Sequence, residues 1–485
     1  PGIQGDAFAG AAGSHTAHIS SHTHVRAGAG LTEVDVPGRI IVADHVRVNP
    51  SLTPAQPPSR GGNYLWVILG VGVLGLIGCG TVAWWLWAQA PKLRQTVVTP
   101  PTNPAAPPAK VPSPDIPPPP PKAVTIQARI NEAKAGSEVV IPEGIYEEQL
   151  RFKDGITLRA AVPGKVFVQT DGRIGSALVV EGCDSGTISG LVFQHSGSET
   201  ADNASHPVVL IKSSTVQLLE CTVQSGLADG VVVTGVGKTQ LVQCLVQKNV
   251  LSGVVFESGN TGTLVKTDCF RNGGSGVEAR FTGTSPTIQG CRLNENDLAG
   301  LSVKDGASAN VIEKTSCLKN RDAGIAAAGS GVSVTIVGAV CEDNLCGIAV
   351  MKLAKASVRD CTIRRSKQAG IQAMAADGTE FLGNTVEDSQ IEGMLIGGDS
   401  GLTVSILGNK VTGSAGSGIG VFGSGFKAKI EQNECLANAV YGILVAEGAG
   451  GIVRENIARG NHVGTINTTG AAPDIVVQGN ITDAQ

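Results

Sequence analysis

The chain has 485 residues, 65 of them Gly, with 4% aromatic and 16% charged side chains and a formal charge of -4. No Lys/Arg stripe runs beside aromatics, so no nucleic-acid partner is expected. A chain this long would usually hold two or more compact domains, but a repeat array uses several hundred residues as one quasi-linear unit.

Residues 1–62, rich in Gly, Ala, Ser and His, read as a mostly disordered low-complexity tail with one alternating stretch at Leu31–Val48. A lone hairpin there would be marginal in water. Tyr64–Ala88 then runs 25 residues without a charge, long enough to cross a hydrocarbon core of ~30 Å. Tyr64 and Trp66 stand at one end and Trp84, Trp85 and Trp87 at the other, where interfacial anchoring puts aromatics. We therefore expect one transmembrane α-helix within 63–90; a cleaved signal peptide would be shorter and nearer the start. Gly72, Gly75 and Cys79 place small residues along it, without the strict spacing of a dimerisation motif.

Residues 91–122 form a Pro-rich linker. From Pro100 to Pro121, 12 of 22 residues are Pro, so the segment should be an extended spacer of ~3.1 Å per residue, reaching ~65 Å or less. Arg60 on one flank of the helix and Lys92 and Arg94 on the other leave the positive-inside rule undecided. The stalk favours a single-pass protein with its C-terminal domain extracytoplasmic.

That domain is expected over 123–485. Its first element, Thr125–Ala135, places Ile126, Ile130 and Ala133 on one face of a short helix, suited to cap the first coil of a solenoid. Irregular strands follow in EVVIPEGIYEEQLRFKDGITLRA. After residue 200, a Gly followed by alternating apolar residues recurs at Gly230, Gly253, Gly276, Gly300, Gly324, Gly347, Gly370, Gly393, Gly418, Gly442 and Gly464, spaced by 22 to 25 residues. One turn of a β-solenoid has this length. We assign these glycines to turns needing positive φ, so Gly300→Val should open its corner and lower the thermal midpoint.

Six to nine residues before each glycine stands Cys221, Cys244, Cys269, Cys291, Cys317, Cys341, Cys361, Asn384, Asn409, Cys435 or Asn456. These are expected to stack as one structural ladder. In the clearest coils the residue two further on is apolar (Val223, Val246, Leu293, Ile363, Val386, Val411), and residues two apart on a strand share a face. The fold class is thus all-β, a parallel β-helix of ~22–25-residue coils.

The segment from Thr125 to Ala160 and the coils after it resemble the pectin-lyase-like superfamily of right-handed parallel β-helices, within it the NosD-like and carbohydrate-binding repeat groups. The resemblance spans about 123–485 and is specific for fold. It implies right-handed coiling; function it leaves open, because that superfamily includes lyases, hydrolases, esterases, epimerases and non-catalytic binders.

Most signatures of those enzymes are missing. Hydrolysis of the polygalacturonase type needs paired acids, yet no Asp-Asp and no Gly-His-Gly occurs. Arg151 and Lys153 form an Arg-x-Lys in the first coil, read as a solvated strand face. Gly144, Tyr146 and Glu148 match a methylesterase Gly-x-Tyr-x-Glu, read as first-coil structure because the remaining esterase motifs are absent. Asp229, Asp297 and Asp322 lie near turns at differing offsets from the glycine, so they form no row for Ca²⁺.

The local candidate for ligand binding is the polar insertion carrying His195, Glu199, Asp202 and His206, suitable metal ligands by type but matching no known spacing. His15, His18, His22 and His24 cluster in the tail and read as low complexity. No metal or cofactor is therefore expected. The cysteines contain no Cys-x-x-Cys, against zinc ribbons and thioredoxin-like sites. So many unpaired thiols sit uneasily with an oxidising compartment.

The reading favours a membrane-anchored, non-catalytic module over an enzyme, binding a glycan or protein ligand at the cell surface. The alternatives are a lyase or hydrolase acting on acidic polysaccharide, and the sensor domain of a receptor whose signalling part precedes Pro1. No Trp follows Trp87, which removes the commonest sugar-stacking platform.

Overall fold

The computed structural model describes residues 125–197 and 206–483. The tail, the transmembrane helix and the Pro-rich linker expected from the sequence lie outside the described residues. Among the described residues no helix is long and apolar enough to cross a membrane.

Strands of three to six residues dominate because each coil alternates inward apolar with outward polar side chains for only a few positions before it must turn. Among the described residues 44 strands form three parallel sheets: A with 15 strands, B with 15 and C with 14. Every third strand pairs with the next of its sheet, as Gln217–Leu219 does with Gln240–Val242 and that with Thr263–Val265. The result is an all-β right-handed solenoid of about fifteen turns. One continuous core runs along it, with Phe193, Phe256, Phe381 and Phe426 fully buried.

The expected cap is a seven-residue helix, α1 (Ile126–Glu132), that buries Ile126 and Ile130. The two motifs resembling enzyme signatures fasten it. Glu148 accepts from the amides of Ile126 and Gln127 at 2.9 and 3.0 Å, and Lys153 Nζ donates to the carbonyls of Asn131 and Ala133. A carboxylate at the helix start and an ammonium at its end both complement the backbone dipoles.

The turn glycines correct the reason given for them. None of the eleven has positive φ; the left-handed positions are other glycines, such as Gly290 and Gly383, and non-glycine residues that are mostly charged or polar, such as Glu220, Gln243, Lys266, Arg271 and Glu295. What Gly300 requires is space, because a Cβ there would lie 2.6 Å from the carbonyl oxygen of Gly324 in the next coil.

The single ladder also divides. Cys221, Cys244, Cys291, Cys361, Asn384, Asn409 and Asn456 occupy the first corner, between sheets A and B. Amides there bond successive coils: Asn384 N donates to Asn409 Oδ1 at 2.9 Å, and Asn409 N to Asn433 Oδ1 at 2.9 Å. Cys269, Cys317, Cys341 and Cys435 instead share the inward row of sheet B with Val246, Leu293, Ile363 and Val411. The two rows are two residues apart on one face, and a small buried thiol fits either.

A third file, at the second corner between B and C, escaped the sequence reading. Asn249, Asn272, Asn296, Asn320 and Asn344 are buried and linked coil to coil. Ser366, Ser389 and Ser414 continue the file, followed by Asn438 and Asn461.

Candidate functional site

The predicted ligand cluster is only partly in view. Glu199 and Asp202 lie outside the described residues. His195 ends a strand of sheet B, is 5% exposed, and its Nδ1 accepts from the Leu227 amide at 3.0 Å. Burial pushes its pKa down to about 4, with the charge of His206 adding to the effect and that of Asp171 opposing it. A neutral imidazole accepting from the next coil closes the second-corner file at its N-terminal end; His206 is exposed at the surface. No group of three or more His, Cys, Asp or Glu placed to hold a metal occurs among the described residues.

The ten described cysteines are free and buried. Burial pushes the Cys221 and Cys361 thiols up to about 12 and that of Cys291 to about 11. Such thiols stay protonated and unreactive at neutral pH.

The outside of sheet C holds a better-built site. In strands Val231–Thr234, Val254–Glu257, Val277–Arg280 and Leu301–Lys304, the outward residues are recessed: Val255 is 1% exposed and Glu278 8%. Register sets Val255, Glu278 and Ser302 in one column and Glu257, Arg280 and Lys304 in the next. Glu278 Oε1 lies 3.0 Å from Lys304 Nζ and 3.3 Å from Arg280 Nη1, and Arg280 pairs with Glu257 at 2.7 Å. A carboxylate this buried is tolerated because two cations and a hydroxyl compensate its lost hydration. That hydroxyl is Ser252 Oγ, 3.4 Å from Glu278 Oε2.

Ser252 also connects the cluster to Asp229, whose Oδ1 accepts from the Ser252 amide at 2.8 Å. Burial raises the Asp229 pKa to about 6, against that amide, with the charges of Glu278 and Glu257 raising it and that of Arg280 lowering it. Asp229 is half-buried rather than sealed. Phe281, 46% exposed, borders the site with the Arg280 guanidinium carbon over its ring, 5.5 Å from the centroid. Asp297 is exposed and pairs with Arg321 at 3.2 Å, apart from this cluster.

The sequence family described as "Right handed beta helix region" matches residues 176–339, 229–391 and 300–434, together more than half of the chain. The chain belongs to the right-handed β-helix family. No curated protein sequence matches this β-helix protein. Among solved structures it is similar to the A-module of the Azotobacter vinelandii mannuronan C-5 epimerase AlgE6, at 15% identity over 74% of this chain and 94% of that one, TM-score 0.36. It is also similar to the Dettilon tailspike protein gp208, at 11% identity over 66% of this chain and 64% of that one, TM-score 0.43. Pectate lyase Pel9A matches at 14% identity over 68% of this chain and 70% of that one, TM-score 0.27.

Proposed function

We propose that this β-helix protein is a non-catalytic glycan-binding module, held at the cell surface by the Tyr64–Ala88 helix and the Pro-rich spacer. The observation that carries the reading is the outer surface itself. Its side chains recur coil after coil at the strand spacing of ~4.8 Å, a repeating template suited to a repeating polymer. Many of the charged groups on it are matched across coils: Arg364 pairs with Glu342 and Glu387, Arg365 with Asp343, Arg271 with Glu295. Carboxylates held by cations on adjacent coils are poor proton donors and acceptors, which supports binding over catalysis.

Asp229 favours a second reading, a polysaccharide lyase or hydrolase. A half-buried carboxyl titrating near 6 is suited to general acid or base work.

Chromatography of the full chain in detergent over immobilised neutral and acidic polysaccharides separates the two. Retention without new reducing ends or unsaturated product supports the binding module. Product that accumulates with the parent chain and disappears with Asp229→Asn supports the enzyme, and failure to be retained by any polysaccharide removes both.

A further inference from the structure

The outside of sheet A is unlike the other two faces. From strand Thr187–Ser189 to strand Ser333–Val337, seven consecutive strands present no Lys, Arg, Asp or Glu outward. One column reads Thr187, Gln217, Gln240, Thr263, Thr287 and Asn310, in register from coil to coil. Beside it stand Leu219, Val242, Val265, Ile312 and, on the last strand, Val337. Charge returns at the borders, where Glu138 pairs with Arg159 on one side and Arg359 with Glu380 on the other. At the corner edge it returns as Glu220 and Lys266.

Hydroxyls and amides each donate and accept, as the hydroxyls of a sugar do, while the aliphatic column suits the C–H side of a sugar ring. A charged ligand laid here would give up hydration and meet no counter-charge. A protein partner needs an apolar centre with depth, whereas this column is one side chain wide and Gln289 interrupts it. We infer that the outer face of sheet A from Thr187 to Val337 binds an uncharged polysaccharide chain laid along the β-helix axis. The inference rests on the glycan-binding reading and names both the face and the ligand class.

Affinity electrophoresis of the full chain in detergent tests it, with a soluble uncharged β-glucan and galactomannan as probes and alginate as the acidic one. The expected result is retention by an uncharged probe that is unchanged between low and high salt. Gln240→Glu with Thr263→Glu should weaken it at least about tenfold, while Thr385→Glu on sheet B leaves it unchanged; circular dichroism checks that both variants fold. An uncharged probe bound equally by Gln240→Glu/Thr263→Glu overturns this inference alone, as does retention by alginate only. Self-association abolished by the same pair of substitutions assigns the face to a second copy and also overturns it. Loss of all polysaccharide binding in the parent chain removes the inference together with the reading beneath it.

Discussion

The second corner is filled in two different ways along the same rod. In the coils of Asn272, Asn296, Asn320 and Asn344, an amide occupies it, and the inward sheet B residue three positions earlier is Cys269, Leu293, Cys317 or Cys341. In the next three coils the corner residue is Ser366, Ser389 or Ser414, and the inward residue is Ile363, Val386 or Val411. A branched methyl has replaced the amide. The ideal Cβ of Gly347, Gly370 and Gly393 would lie 2.3, 2.3 and 2.2 Å from a methyl of Ile363, Val386 and Val411. Beside Gly300 and Gly324 the corresponding atom is a cysteine sulfur at 3.0 and 2.9 Å. The serine region thus gives up hydrogen bonding for burial, and the hydroxyls of Ser366, Ser389 and Ser414 have no partner among the described residues. Asn249 sits above Val246 without conflict because that methyl stays 2.9 Å from the Cβ position of Gly230.

If the amides hold their region together, removing one from mid-file should have the largest effect. Asn320 donates to Leu293 O at 2.9 Å and to Asn344 Oδ1 at 3.0 Å, and its Oδ1 accepts from Asn296 N and Nδ2 at 3.0 Å each. Asn320→Ala removes four bonds and strands buried donors, a loss of about 4 kcal/mol. Urea unfolding should report it, with faster amide exchange at Asn296. A loss below about 1 kcal/mol would mean that the amide file and the serine region are held by burial alike.

His195 sharpens the comparison at the end of the file, because it accepts from the next coil only while neutral. Its pKa of about 4 lies below the usual value of 6.5, so the unfolded chain binds more protons between those values. Stability from this group is therefore complete above about 6.5 and falls by roughly 3 kcal/mol as pH drops to 4. Asp229 works in the opposite direction: its raised pKa of about 6 makes folding more favourable as pH falls from 6 through 3.8. Comparison with His195→Asn isolates the imidazole. The advantage of the parent chain should shrink by roughly 3 kcal/mol between pH 7 and pH 4, and an advantage independent of pH would show that His195 does not titrate in this window.

These corners explain what the sequence disclosed. The period was legible because each Gly faces the carbonyl of the coil below, a constraint that repeats without exception from Gly230 to Gly442. The two cysteine rows merged because their offsets from the glycine, nine residues for Cys221 and seven for Cys269, differ by one alternation on a shared face. An Asn four residues before Gly253, Gly276, Gly300 and Gly324 was a plain signal of the third file, and counting only the more distant position missed it. The charged cluster was hidden for a related reason. Glu257, Arg280 and Lys304 each stand four residues after a turn glycine, but only pairing of the coils brings them together. The expected tail rests on composition, and the expected membrane segment on an uncharged run flanked by aromatics, neither of which a fold of short parallel strands requires or forbids.

The smallest effect is the most diagnostic of how the two regions differ. Ser414 already sends its amide to Asn438 Oδ1 at 3.0 Å, so an Asn at 414 would find the next acceptor in place. By the pattern of Asn438, whose Nδ2 donates to Val411 O at 3.3 Å, it would also reach the Val386 carbonyl. Val411 stands in the way, since its methyl leans into the corner near Gly393. Ser414→Asn alone should therefore be neutral or lose about 1 kcal/mol through overpacking. Val411→Cys alone should lose about 1 kcal/mol of buried methyl. Together they recreate the Asn320 and Cys317 arrangement, and the double variant should be at least as stable as the parent, a favourable coupling of about 1 to 2 kcal/mol in a double-mutant cycle. Additive losses would show that amide and methyl do not compete for one space, and that the two kinds of coil differ for a reason outside this corner.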